Sequence, residues 1–165
     1  MSTTPQAPPP LGNVLPRPIG KNFLDPRIDG IDLTYYQTTV ASIAPAASTP
    51  SQINIDAGTD FYWVATTYQT DLAGAAQTES GVVIPLVTVV ITDTGSQRQL
   101  MNAAVPLTCV AGPGERPYRN ILPRLFRANS IITFNWTNYS AATTYTSLYW
   151  IMHGFRLPPN SPFTL

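Results

Sequence analysis

Residues 130–157 read SIITFNWTNYSAATTYTSLYWIMHGFRL, and the fold class turns on them. Ser130 to Thr137 and Thr143 to Leu157 are rich in Ile, Thr, Phe, Tyr and Trp, whose branched or flat side chains suit a pleated surface and crowd a helix. Asn138-Tyr-Ser-Ala-Ala between them has a loop composition, so the two runs are expected as the last strand pair. In the second run Tyr145, Tyr149 and Ile151 oppose Leu148, Trp150 and Met152, which places apolar side chains on both faces. Gly154 offers a position for a bulge or bend.

The same signal recurs upstream, each run bounded by Gly, Pro, Asn or Ser clusters. Leu33 to Ile43 is Thr-, Tyr- and Val-rich, and Gln52 to Ile55 is a short strand. Asp60 to Tyr68 alternates Phe61, Trp63 and Ala65 against Tyr62, Val64 and Thr66. Val82 to Thr92 is nearly continuous apolar sequence interrupted by Pro85; its β-branched content predicts a strand buried on both faces. Asp93-Thr-Gly-Ser is a tight turn, so 86–101 reads as a hairpin. Val105 to Val110 is the next strand, and Tyr118 to Asn129 is irregular or short-stranded. Segments 72–81 and 111–117 are loops. With about eight strands and no amphipathic helix, the expected fold is all-β, a single β-sandwich for which the jelly roll is one available topology.

Three segments follow: an arm over 1–29, the sandwich over 30–157 and a tail over 158–165. Seven of the first twenty-six residues are proline, which removes backbone donors and biases each preceding residue toward extended geometry. Fully extended as polyproline, residues 1–20 would span roughly 60 Å. Such an arm is suited to reaching a neighbour.

Charged residues make up 11% of the chain and its net charge is zero, with Lys21 the only lysine. Typical domains carry about 25% charged residues, so the low value implies a surface covered by partners, in a dimer or trimer rather than a monomer. Zero net charge argues against bulk nucleic-acid binding. No apolar run reaches the length of about 18–20 residues a membrane helix needs, and Met1 to Pro10 lacks the apolar core of a secretory signal. Synthesis in the cytoplasm is therefore expected.

The chain is poor in catalytic groups. His153 is its one histidine and Cys109 its one cysteine, so a zinc site lacks ligands. Cys109 is expected as a buried structural thiol, and His153 as a core or interface residue. Asp56, Asp60, Asp71, Glu79 and Asp93 fall at strand ends or turns, where Asp ordinarily forms the turn. The acids Asp25, Asp29 and Asp32 lack calcium-loop spacing, and no helix follows Gly112-Pro-Gly114 to bind a phosphate. Neither a catalytic residue, a cofactor nor a metal is expected. Arg116, Arg119, Arg124 and Arg127 do form a cluster with Glu115 the only acid nearby. It reads either as a docking patch for carboxylates, which arginine grips in bidentate pairs, or as an ordinary solvated loop.

Residues 60–157 resemble small structural proteins of tailed-bacteriophage particles. The shared order of parts is a strand ending in Thr92-Asp-Thr-Gly-Ser96, the Val105-Pro-Leu107 strand, the Gly112-Pro-Gly114 loop, Leu122-Pro-Arg-Leu-Phe126, and a closing strand ending His153-Gly-Phe-Arg-Leu157. The resemblance implies a capsid cement or decoration protein in the virion. Its expected partners are the major capsid protein and further copies of itself. The partner-binding residues would be Pro8, Pro9, Pro10, Leu11, Leu15, Pro16, Arg17, Pro18 and Ile19 of the arm, with the four arginines. Two other readings stay open. One is a neck, tail or fibre component presenting loops 71–81 and 111–118. The other is a carbohydrate-binding or sugar-cleaving module stacking sugars on Tyr62, Trp63, Trp136, Tyr149 or Trp150.

Overall fold

Each long strand of the first half pairs with one of the second half in nested order. A computed structural model describes residues 32–72 and 84–159. Its strands are β1 (Asp32–Ile43), β2 (Ser48–Asn54), β3 (Asp60–Leu72), β4 (Val87–Asp93), β5 (Arg98–Gln99), β6 (Val105–Pro106), β7 (Gly112–Pro113), β8 (Tyr118–Phe126), β9 (Ile131–Asn138) and β10 (Tyr145–Leu157), with a 3-10 turn at Leu107–Cys109. Sheet A runs β1-β10-β3, with β7 and β8 both beyond β3; sheet B runs β2-β9-β4, with β5 and β6 beyond β4. Thus β1 meets β10, β2 meets β9, β3 meets β8 and β4 meets β5, all antiparallel. One long hairpin rolled over itself gives this order, and the expected sandwich is a jelly roll.

Among the described residues, the main core lies between the sheets. Trp150 of sheet A sits 5.6 Å from both Phe134 and Trp136 of sheet B, and 6.5 Å from Trp63. Phe134 and Trp136 stack in parallel at 5.5 Å. Trp136 also donates its Nε1 proton to Ser51 Oγ at 2.8 Å, which satisfies its polar edge. Truncating one such ring costs about 3–5 kcal/mol.

Several expectations are corrected. β9 and β10 do not pair; they belong to opposite sheets. The cause is buried Asn138. Its Nδ2 donates to the carbonyls of Ile43, Ala44 and Thr143, while its Oδ1 accepts from Ser140 N at 2.9 Å. Ser140 Oγ then accepts from the amides of Ala142 and Thr143. These bonds carry the chain over the rim between sheets instead of back along β9, and they tie that corner to the β1–β2 corner.

Tyr145 is buried with Leu148, Trp150 and Met152 rather than opposing them. The register shifts between Thr146 and Tyr149, where Ser147 has φ 53°, and the shift turns Tyr145 to the core face. Tyr118 to Phe126 is a strand, although interrupted. Only Val105 and Pro106 of the expected 105–110 strand are extended. The chain then winds into the 3-10 turn, which buries Leu107 and leaves Cys109 exposed, so the thiol is not a core group. β4 buries Val87, Val89, Ile91 and Asp93 and half-buries the residues between them. One face meets the core and the other does not, as in an antiparallel sheet wet on one side.

Other expectations hold. The 86–101 hairpin forms through Thr92 opposite Gln99 and Asp93 opposite Arg98. Gly154 lies at a second register shift in β10, where an added Cβ would overlap the Tyr62 carbonyl oxygen and fall 2.7 Å from the Phe61 ring. Residues 73–81 of the small-residue loop, Val82 and Val83 of the expected 82–92 strand, the arm over 1–29 and most of the tail lie outside the described residues, while Leu72, expected in the loop, ends β3.

Candidate partner interface

β8 is the outer strand of sheet A beyond β3, and it pairs with β3 in two pieces. Phe126, Leu125 and Arg124 oppose Phe61, Tyr62 and Trp63; Arg119 and Tyr118 oppose Ala65 and Thr66. Four residues, Asn120-Ile-Leu-Pro123, therefore stand against the single residue Val64. Pro123 has no amide proton to give to a ladder, and an interruption or edge is where a strand tolerates it. Asn120 closes the gap by donating from Nδ2 to the Trp63 carbonyl at 3.3 Å. The excess chain projects as a knob whose apolar tip is in water: Ile121 is 93% exposed and Leu122 79%. Single exposed apolar residues are common, whereas contiguous exposed apolar surface marks contact sites.

Arg119 and Arg124 flank this knob where pairing resumes, and both are exposed. Neither has an ion-pair partner among the described residues. Arg116 is exposed in the loop before β8, and with Arg119, Tyr118, Pro113 and Tyr68 it lines a shallow hollow. Arg127 is different. It reaches Asp60 at 2.7 Å, and the buried Asp60 carboxylate also accepts from Ala128 N at 2.9 Å. That pair fixes the β8–β9 turn. Of the four expected arginines, three are free to face a partner and one is engaged in holding the fold. Arg98, absent from the expected cluster, joins Arg124 and Arg127 along a groove of about 590 Å³ between the β4–β5 and β8–β9 turns. Asp93 borders that groove with its carboxylate already accepting from Gly95 N, Ser96 N and the Ser96 hydroxyl. The arm residues Pro8, Pro9, Pro10, Leu11, Leu15, Pro16, Arg17, Pro18 and Ile19 lie outside the described residues.

The remaining candidates for chemistry are engaged in structure or lie elsewhere. His153 is half-buried on the outer face of sheet A, with Nε2 2.8 Å from Thr67 Oγ1, and burial pushes its pKa below the ordinary 6.5. No hydrogen bond joins it to Cys109. Asp56 pairs with Arg156 at 2.7 Å, Asp71 lies near the end of β3, and Glu79 is outside the described residues. Among the described residues no group of three or more His, Cys, Asp and Glu could hold a metal. No helix there is long and apolar enough to cross a membrane. Of the aromatic stacking candidates, Trp63, Trp136, Trp150 and Tyr62 are buried, and only Tyr149 is half-exposed. Burial also pushes the phenol pKa values of Tyr62 and Tyr68 up.

No family model matches the chain, and no curated protein matches it. A solved structure, the cyanophage Pam1 capsid asymmetric unit, aligns over 94% of this chain and 94% of that chain with 17% sequence identity and a TM-score of 0.39. Nothing about function follows from a likeness that remote.

Proposed function

We propose that the chain is a virion structural protein that binds an assembled phage capsid and braces contacts between its subunits, as a cement or decoration protein. The observation that carries this reading is the knob: Ile121 and Leu122 project between arginines that have no ion partner among the described residues. Such a tip fits an apolar pocket whose rim offers carboxylates, and arginine is among the residues enriched at the strong points of an interface. Two further facts support it. The resemblance of residues 60–157 to phage structural proteins rests on turn and packing motifs, and of the rings that would stack on a sugar Trp63, Trp136 and Trp150 lie in the core, Tyr62 is buried and Tyr149 is half-buried. The protein acts by geometry, without a catalytic step.

In this reading the body covers a junction and the proline-rich arm crosses to an adjoining subunit, pairing with an exposed strand or lying in a groove. Tethering raises the local concentration of the second contact without strengthening either one. Deleting residues 1–20 tests it. The shortened chain is expected to keep the circular dichroism of the full chain and to lose co-sedimentation with capsids. Retention on capsids at the full-length stoichiometry would overturn the role of the arm. A reconstruction of the particle gives the location: many copies over the shell fit cement, whereas a few copies at one vertex would place the chain in the neck or tail.

A further inference from the structure

Among the described strands, β5 lies at one edge of sheet B and β8 at one edge of sheet A, and the register turns an arginine of each toward the space between the sheets. Arg98 of β5 is opposite Asp93 of β4. Asp93 is buried on the same face of β4 as Val87, Val89 and Ile91, and directly opposed residues share a face, so Arg98 stems from the inner face of sheet B. Leu100, two positions on, packs against the core as that alternation requires. Arg124 of β8 is opposite the core residue Trp63 of β3. It therefore stems from the inner face of sheet A. Both arginines are nevertheless exposed, so the seam they share is open to water.

That seam is the groove of about 590 Å³ between the β4–β5 and β8–β9 turns, where Arg98, Arg124 and Arg127 meet a single lining acid, Asp93. The Asp93 carboxylate already accepts from Gly95 N, Ser96 N and the Ser96 hydroxyl, and Arg98 and Arg124 have no ion-pair partner among the described residues. Arg127 gives Nη1 to buried Asp60. Its side chain is 60% exposed, so its other N–H groups still face the groove. We propose that the seam binds an acidic peptide segment of a partner protein, whose carboxylates pair with Arg98 and Arg124 while Arg127 adds a third guanidinium beside them. Carboxylates match guanidinium groups in bidentate pairs. Half-buried Leu100 and Leu125 line the same groove, which suits a segment carrying apolar as well as acidic side chains. A run of phosphates fits less well, because a chain of zero net charge has no broad positive field to gather one. Inward-pointing charges also deter edge-to-edge pairing of sheets. That purpose alone would not bring the arginines of both edges into one groove. The seam goes beyond the capsid reading, since any partner with such a segment would fit it.

The test needs no capsid: the full chain, 15N-labelled, is titrated into the millimolar range with the end-blocked peptide Ala-Glu-Leu-Glu-Ala and, separately, with Ala-Gln-Leu-Gln-Ala. Amide shifts are expected to saturate and to centre on residues 93–100 and 124–130, with the Glu peptide bound about tenfold more tightly than the Gln peptide. The double variant Arg98→Gln and Arg124→Gln should lose that preference and keep the near-UV circular dichroism of wild type, because both side chains are exposed and without an ion pair among the described residues. Arg116→Gln with Arg119→Gln makes the same change of charge away from the seam and should keep the preference. Shifts centred elsewhere, equal binding of the two peptides, or equal losses in the two variants would overturn the proposal. So would an oligothymidylate of equal charge that binds the same amides more tightly than the Glu peptide, which would assign the seam to nucleic acid. Should the Arg98 and Arg124 variant fail to fold, the wild-type titration decides by itself. Capsid co-sedimentation of the knob variants is read separately, so either reading can fail alone.

Discussion

Replacing Asn138 by alanine tests whether one side chain holds the two sheets in their relative positions. Asn138 is fully buried and engages four backbone groups: the carbonyls of Ile43 and Ala44, each at 3.1 Å, the carbonyl of Thr143 at 2.7 Å, and the amide of Ser140 at 2.9 Å. Ala44 O retains a bond from Ala47 N and Ile43 stays paired with Tyr145 in the β1–β10 ladder, so the loss falls mainly on the Thr143 carbonyl and the Ser140 amide. A buried group left unsatisfied costs about 1–3 kcal/mol, and the two together give an expected destabilisation of roughly 3 kcal/mol. At about 2–4 °C per kcal/mol for a chain of this size, the Tm should fall by roughly 6–12 °C. Urea unfolding followed by tryptophan fluorescence measures it directly, because Trp136 and Trp150 report the meeting of the sheets. Asn138→Asp sharpens the test: it keeps the size and the acceptor for Ser140, but it turns a carboxylate toward three carbonyl oxygens. Asp is expected to be at least as damaging as Ala. A loss below about 1 kcal/mol for Ala, or an Asp variant as stable as wild type, would refute the assignment of the corner to these donors.

Three further outcomes follow from the same structure. Ile121→Asp with Leu122→Asp should change unfolding stability by no more than about 0.5 kcal/mol, since both side chains are in water, while capsid co-sedimentation is lost; unchanged binding would remove the knob from the interface. Gly154→Ala should cost roughly 1–3 kcal/mol by overpacking against Phe61 and the Tyr62 carbonyl, and equal urea midpoints would show that the bulge yields. The pKa of His153 is lowered by burial, so the folded state prefers the neutral ring. Its contribution is complete above the unfolded pKa and is lost as pH falls toward the depressed folded value. Between about pH 7.5 and about pH 5, wild type should lose more stability than His153→Gln, and parallel pH profiles would contradict the assignment.

Strand positions were legible because they depend on local composition: β1, β3 and β10 lie close to where Thr, Tyr, Val and Trp cluster. Pairing was not legible, because the decisive contact joins Asn138 to the Ile43 carbonyl across ninety-five positions. Asn138-Tyr-Ser-Ala-Ala has the composition of a hairpin loop, and only its remote acceptors make it a corner. Cys109 misled for a related reason. Val105-Pro-Leu-Thr-Cys-Val110 alternates like a strand, but Pro106 precedes a turn whose tighter winding separates Leu107 from Cys109. At the candidate interface the arginines were visible as a cluster, whereas Ile121 and Leu122 lay unremarked in a segment expected to be irregular or short-stranded. Asn120 and Pro123 carried the available signal, since a proline within a strand pattern marks an edge or an interruption.

The polar groups of the described body divide by task. Asp60, Asp93 and Asn138 are buried and spend their hydrogen bonds on the β8–β9 turn, the β4–β5 turn and the rim between sheets. Asp56 is paired with Arg156. Carboxylates committed in this way are not free to act on a substrate, and moving one would cost the turn it holds. The arginines divide oppositely: Arg127 is engaged, while Arg98, Arg116, Arg119 and Arg124 have no ion-pair partner among the described residues; Arg116, Arg119 and Arg124 fall on β8 or the loop before it, and Arg98 of β5 faces Arg124 across the groove. Guanidinium groups carry five donors each and lose little by waiting in water. With Asp56, Asp60 and Asp93 committed internally, the arginines without an ion-pair partner among the described residues are open to carboxylates supplied from outside. In the capsid-binding reading proposed above, the apolar knob between Arg119 and Arg124 sets where that outside surface makes contact.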